Sequence, residues 1–248
     1  MRRVIVIVSS VTILIFAALL YEYKKQQNDV AQLAQYQTVL YDKTEELYQQ
    51  AQDWQTPIKM STQDPRLSGD YQVMADFILS YLKDNAEARN LYLRELKNIG
   101  WNEFLQVSRL SQDKQQNYQQ TQEMLINARS LAKQYEQQNL ERHERALAEA
   151  KHLNIQTRLR QTLLDGIQRN NDDEANAVFA LEKQILSKAE AMFVILKANR
   201  WEARQGKFFF YEEQPLAQFN QLYEQVLQLN SQIEKIKNSH KAQVESKL

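Results

Sequence analysis

Two histidine–carboxylate spacings are the first places to look for chemistry in this chain. His143-Glu144 opens like a zinc-protease helix, in which two histidines four residues apart hold the metal and the glutamate acts as base, but the required second ligand position is Leu147. Glu149-Ala150-Lys151-His152 has the Glu-x-x-His spacing that di-iron helical bundles use, because residues three apart share a helix face. Such a centre needs a second motif and two further inward glutamates. Leu140 and Lys237 stand three places before His143 and His240, so neither supplies one. The Glu149 and His152 pair therefore reads as an exposed contact on a polar helix. There is no phosphate-cradling glycine loop and no Gly-x-Ser-x-Gly turn, and the lack of cysteine removes thiolate catalysis, thiolate metal sites and disulfides. No catalytic residue, metal or cofactor is expected.

A different kind of chemistry is offered by Trp201, Phe208, Phe209, Phe210 and Tyr211. Four consecutive rings cannot share one face of a helix or a strand, and an extended backbone suits them better than a helix does. Either the segment folds its rings over one end of a helical body as a plug, or it presents them as a contact surface, since clustered exposed aromatics mark binding sites. These five residues are the candidate interaction surface.

The elements that must hold this segment are helical. Four glycines and three prolines leave few breakers, and glutamine, lysine, alanine, leucine and glutamate fill long stretches. Leu33, Leu40, Leu47 and Trp54 recur every seven residues, a seam suited to packing against another helix of the same chain. Pro57, Ser61, Asp64, Pro65 and Ser68 mark a loop or hinge over 56–70. A stripe from Met74 to Ile99 should stop at Gly100, which can take the left-handed cap geometry. A third helix from about Asn102 or Ser111 to Leu153 turns polar over Glu136 to Arg145, which predicts a solvated stretch. A break near Asn154 precedes a helix to Arg169, and Asn170 to Glu174 reads as a stop and restart. The next helix, with Val178, Leu181, Met192, Phe193 and Leu196, has the widest apolar face. A heptad helix over 215–240 follows the aromatic segment at 206–214, with Phe219, Val226 and Ile233 at one position and Leu222, Leu229 and Ile236 at the other.

The amino terminus sets a further expectation. Val4 to Leu20 is uncharged and lies between Arg2-Arg3 and Lys24-Lys25, long enough for one bilayer-crossing helix. A cleaved signal peptide fits less well, because Ala17 and Ala18 have Ile15 and Phe16 where a peptidase needs a small residue. The expected fold class is thus all-α: a single transmembrane helix continuing into an elongated antiparallel, coiled-coil-like helical bundle, with one short aromatic non-helical segment. The expected domains are a membrane anchor at 1–25, a juxtamembrane stalk at 26–55, the loop at 56–70 and a helical body at 71–248. Basic residues near the span favour a cytoplasmic amino terminus and a body in the bacterial periplasm.

Lysine plus arginine and aspartate plus glutamate balance at 31 each, which gives no electrostatic case for nucleic acid. The plan supports a non-enzymatic, membrane-anchored scaffold or adaptor, touching the lipid bilayer through its span and a protein partner through its body. The alternative is a sensory or ligand-binding bundle that holds an apolar or amphipathic molecule near Met192 and Phe193.

Overall fold

Few breakers and sustained amphipathic periodicity produce seven α-helices among the described residues: α1 (Val30–Gln52), α2 (Gly69–Asn98), α3 (Val107–Asp113), α4 (Gln119–His152), α5 (Thr157–Arg169), α6 (Ala175–Ala198) and α7 (Glu213–Lys247). The structure is a computed structural model and describes residues 30–169 and 175–247. Two short strands, β1 (Trp201–Arg204) and β2 (Lys207–Phe210), pair antiparallel between α6 and α7. The chain is mostly helical, as the sequence predicts, with this one small sheet where the aromatic segment departs from helical pattern. The last helix begins at Glu213, which places Pro215 in its first turn, where a missing N–H removes no helical bond.

Among the described residues no helix is long and apolar enough to cross a membrane. This corrects the expectation of a single-pass membrane protein with a periplasmic body. Even α6, with the widest apolar face, carries Glu182, Lys183, Lys188 and Glu190, and a spanning helix needs about 20 predominantly apolar residues. The run Val4 to Leu20 and the anchor at 1–25 lie outside the described residues, as does the restart at Asn170 to Glu174.

The described chain divides into two compact units, with α2, α4, α6 and α7 each contributing a stretch to both. The first unit holds residues 30–91, 135–169, 175–176 and 237–247. Its core joins Leu40 and Leu47 of α1 to Ile78, Leu79 and Leu82 of α2 and to Leu163 and Ile167 of α5. The heptad seam of α1 is therefore an intramolecular one. The connection between α1 and α2 also enters this core through Ile58, Met60 and Leu67.

That connection is tied down by Arg66. Its Nε and Nη2 donate to the two carboxylate oxygens of Asp64 at 2.9 Å each, and Nη1 donates to Asp42 at 2.7 Å. The side-chain hydrogen bond from Arg66 holds the Asp64 carboxyl down at about 2, against the opposing effect of burial. A carboxyl whose pKa is lower folded than unfolded stabilises the fold fully above its unfolded value of about 4 and loses that contribution as pH falls towards 2. Asp64→Asn should therefore flatten the decline in stability between about pH 4 and pH 2 and leave the decline at higher pH unchanged. Urea melts of both proteins across that range measure the difference; parallel acid limbs would show that the pair contributes nothing to acid sensitivity.

The stretch Glu136 to Arg145 is solvated over most of its surface, as expected, and packs Arg142 and His143 against α2. Arg142 donates from Nε to Asn85 at 3.2 Å and from Nη2 to Asn139 at 3.1 Å, and His143 is buried with Nδ1 3.3 Å from Tyr81 Oη. The guanidinium groups of Arg89 and Arg142 lie 5.7 and 5.9 Å from the centre of the Tyr135 ring. Tyr81, Asn85 and Arg89 are spaced at four residues on α2 and meet His143, Arg142 and Tyr135 on α4, so polar groups satisfy one another where the periodicity shows no apolar face. Burial raises the Tyr81 hydroxyl above its ordinary pKa and lowers that of Arg142.

Candidate interaction surface

The second unit comprises residues 92–134 and 177–236. Its core gathers Phe104, Leu110, Tyr118, Met124, Met192, Phe193, Leu196, Trp201, Phe210 and Phe219. Gly100 ends the α2 segment at φ 76°, as the sequence predicts, a conformation that favours glycine, and a Cβ there would lie 3.0 Å from Met124 Cε at the flexible end of that side chain. Met192 and Phe193 are enclosed by packed side chains, with Phe104 and Tyr118 set edge-on to the Phe193 ring. An open recess of about 400 Å³ lies elsewhere, lined by Ser187, Glu190, Ala191, Val194, Ile195 and Leu222.

Asp113 organises the approach to α4. Its carboxylate is buried and accepts hydrogen bonds from the Gln120 N–H at 3.1 Å, the Thr121 N–H at 2.8 Å and the Thr121 hydroxyl. Thr121 Oγ1 in turn accepts from Arg109 Nη1 at 3.0 Å, while Arg109 also donates from Nε to the Glu103 carbonyl and from Nη2 to the Phe104 carbonyl. Burial lowers the pKa of Arg109, opposed by Asp113 and Glu103. Between Asp113 and Gln119 the backbone takes two successive left-handed residues, Asn117 at φ 55° and Tyr118 at φ 60°. A bulky residue at positive φ is strained and persists only where its surroundings hold it. Tyr118 is held at both ends: its N–H donates to the Asp113 carbonyl at 2.8 Å, and its buried hydroxyl accepts from Trp201 Nε1 at 3.0 Å.

The aromatic hairpin is positioned from this core. Gln205 and Gly206 form a two-residue turn with φ of 49° and 72°, and positive φ at both central residues is the requirement of a type I′ turn. The register is Trp201 opposite Phe210, Glu202 opposite Phe209, Ala203 opposite Phe208 and Arg204 opposite Lys207. Opposed residues share a face and neighbours alternate, so Trp201, Phe208 and Phe210 point one way and Phe209 and Tyr211 the other. Trp201 and Phe210 are only 3% and 6% exposed, and Phe208 packs between Trp201 and Phe219 at ring-centre separations of 5.0 and 5.3 Å. Phe209 and Tyr211 are 41% and 54% exposed and touch edge to face at 5.9 Å. The plug and the exposed pair are thus opposite faces of one hairpin.

Further contacts hold the plug. Trp201 Nε1 also donates to the Leu196 carbonyl at 2.9 Å; Lys114 Nζ donates to the Trp201 carbonyl at 2.7 Å and lies 4.6 Å from its ring centre. On the outer face the Arg204 guanidinium lies 3.8 Å from the Phe209 ring centre and pairs with Glu202, while that of Arg200 lies 5.2 Å from the Tyr211 ring centre. The sequence reading named the aromatics and missed the arginines. Their signal was alternation: Arg200, Glu202 and Arg204 occupy every second position from the residue before β1 to its end.

The histidine spacings come to different places. His143 is buried against Tyr81, whereas Glu149 and His152 are both exposed near the end of α4. Among the described residues no group of three histidine or carboxylate side chains is placed to hold a metal ion. The chain matches no protein-family model, no curated protein and no solved structure.

Proposed function

We propose that this protein is a non-enzymatic helical scaffold that docks a protein partner on the outer face of its aromatic hairpin. The observation that carries the reading is the division of the hairpin. One face is fixed in the core through Trp201, Phe208 and Phe210, while Phe209 and Tyr211 stand exposed on the other. Large rings displayed on a rigid element lose little conformational freedom when a partner covers them, which is why aromatics and arginine concentrate at interfaces. The mechanism is tethering: a bound partner gains local concentration without new chemistry. Crosslinking of cell extracts should capture a partner with the unaltered protein and lose it with the double variant Phe209→Ser, Tyr211→Ser. Because both side chains are exposed, folding stability should change by no more than about 1 kcal/mol. Identical captured proteins with both forms would sink the reading.

A further inference from the structure

The charges on the outer face of the hairpin indicate what kind of partner fits it. The pairing register puts Arg204 and Lys207 on the same face as Glu202 and Phe209, and one further step, where the Tyr211 N–H donates to the Arg200 carbonyl, adds Arg200 and Tyr211. Three cations and one carboxylate share this face with the two exposed rings. Glu202 is engaged by Arg204, and among the described residues Arg200 and Lys207 make no ion pair. Glu212 and Glu213 follow where the hairpin passes into α7, and Glu213 sits in the first turn of that helix, where negative charge is favoured by the helix dipole.

We propose that this face binds an acidic segment of a partner protein, its carboxylates meeting Arg200 and Lys207 and its apolar side chains covering Phe209 and Tyr211. The proposal rests on the docking reading above and adds the chemistry of the occupant. A guanidinium lying over a ring keeps its N–H donors free in its own plane, and these match a carboxylate bidentately. The ring beneath holds that plane in place, so less side-chain freedom is lost when the carboxylate arrives. A nucleic acid fits less well. The ring faces on which bases would stack are partly occupied by Arg200 and Arg204, and Arg204 is already paired with Glu202, which leaves few free cations to meet phosphates.

The test uses three fluorescent probes with the full chain: a peptide of about ten residues alternating glutamate and leucine, the same peptide with lysine for glutamate, and an oligothymidylate of equal charge. The acidic peptide should bind best, weaken as salt is raised, and lose at least about tenfold in affinity in the variant Arg200→Gln, Lys207→Gln. Melting of that variant should match the parent, since both side chains are exposed. Equal binding of the lysine peptide, tighter binding of the oligothymidylate, or no binding of the acidic peptide would each overturn the proposal. Crosslinking separates this failure from failure of the docking reading. A partner lost by Phe209→Ser, Tyr211→Ser yet kept by Arg200→Gln, Lys207→Gln would leave the docking face standing and remove its acidic occupant.

Discussion

Replacing Trp201 with alanine is expected to destabilise the second unit by about 3–5 kcal/mol, the range for truncating a buried aromatic. Three losses combine at this position. The indole leaves a cavity bordered by Phe208, Phe210 and Phe219 in a cluster that has little means of closing. The Tyr118 hydroxyl and the Leu196 carbonyl lose the Nε1 donor and keep only the hydrogen bond that the hydroxyl donates to the carbonyl at 3.3 Å, and a hydrogen bond lost from such a cluster costs about 0.5–1.5 kcal/mol. Lys114 loses the ring beside which it lies. Against a total stability of about 5–15 kcal/mol, this is enough to open the unit under mild denaturant. Trp201→Phe keeps most of the apolar volume and should lose less than half as much. Trp101 lies in the same unit and Trp54 in the other, so urea melts followed by fluorescence in a Trp54→Phe background report the second unit alone. An unchanged midpoint for Trp201→Ala would mean that the hairpin does not plug the core.

Asp113→Ala should be comparably damaging, at about 3–5 kcal/mol, because it removes one partner of a buried charged cluster. Two amides in the first turn of α4, from Gln120 and Thr121, lose their acceptor, and loss of such a cap alone is worth about 0.5–2 kcal/mol. The Thr121 hydroxyl loses the acceptor that sets its direction, and Arg109 loses the carboxylate 3.7 Å from its Nη1. The left-handed pair Asn117 and Tyr118 is then held on fewer sides, and its strain favours rearrangement. Asp113→Asn retains one acceptor oxygen and should fall between the alanine variant and the parent. Chemical denaturation of the three proteins gives the order, and hydrogen exchange at Gln120 and Thr121 gives the location. Parent-like protection of those two amides in the alanine variant would refute the capping role.

Helix limits were open to sequence reasoning where a residue has a strong local preference. Gly100 takes the left-handed conformation that ends the α2 segment, and the break near Asn154 separates α4 from α5. The break ahead of α4 was not legible. Asn117 and Tyr118 turn the chain without glycine or proline, and what stabilises that turn is the Asp113 carboxylate and the Trp201 indole, which is 83 residues away from Tyr118 in sequence. The polar seam between α2 and α4 was missed for a related reason. Tyr81, Asn85 and Arg89 look like a solvated face until their partners on α4 are in view.

The sequence by itself determined a mostly helical chain, a heptad seam through Leu40 and Leu47, and an extended aromatic segment after α6, because periodicity and backbone preference act over a few residues. Tertiary structure decided which rings are core and which are surface. In a strand that choice follows from register, and a slip by one residue would exchange Phe208 and Phe210 for Phe209 and Tyr211. The Gln205-Gly206 turn fixes the register of the two strands, and the indole bonds of Trp201 to Tyr118 and Leu196 anchor one face in the core. Those contacts join parts of the chain distant in sequence, and they are what leaves Phe209, Tyr211 and the arginines beside them facing outward.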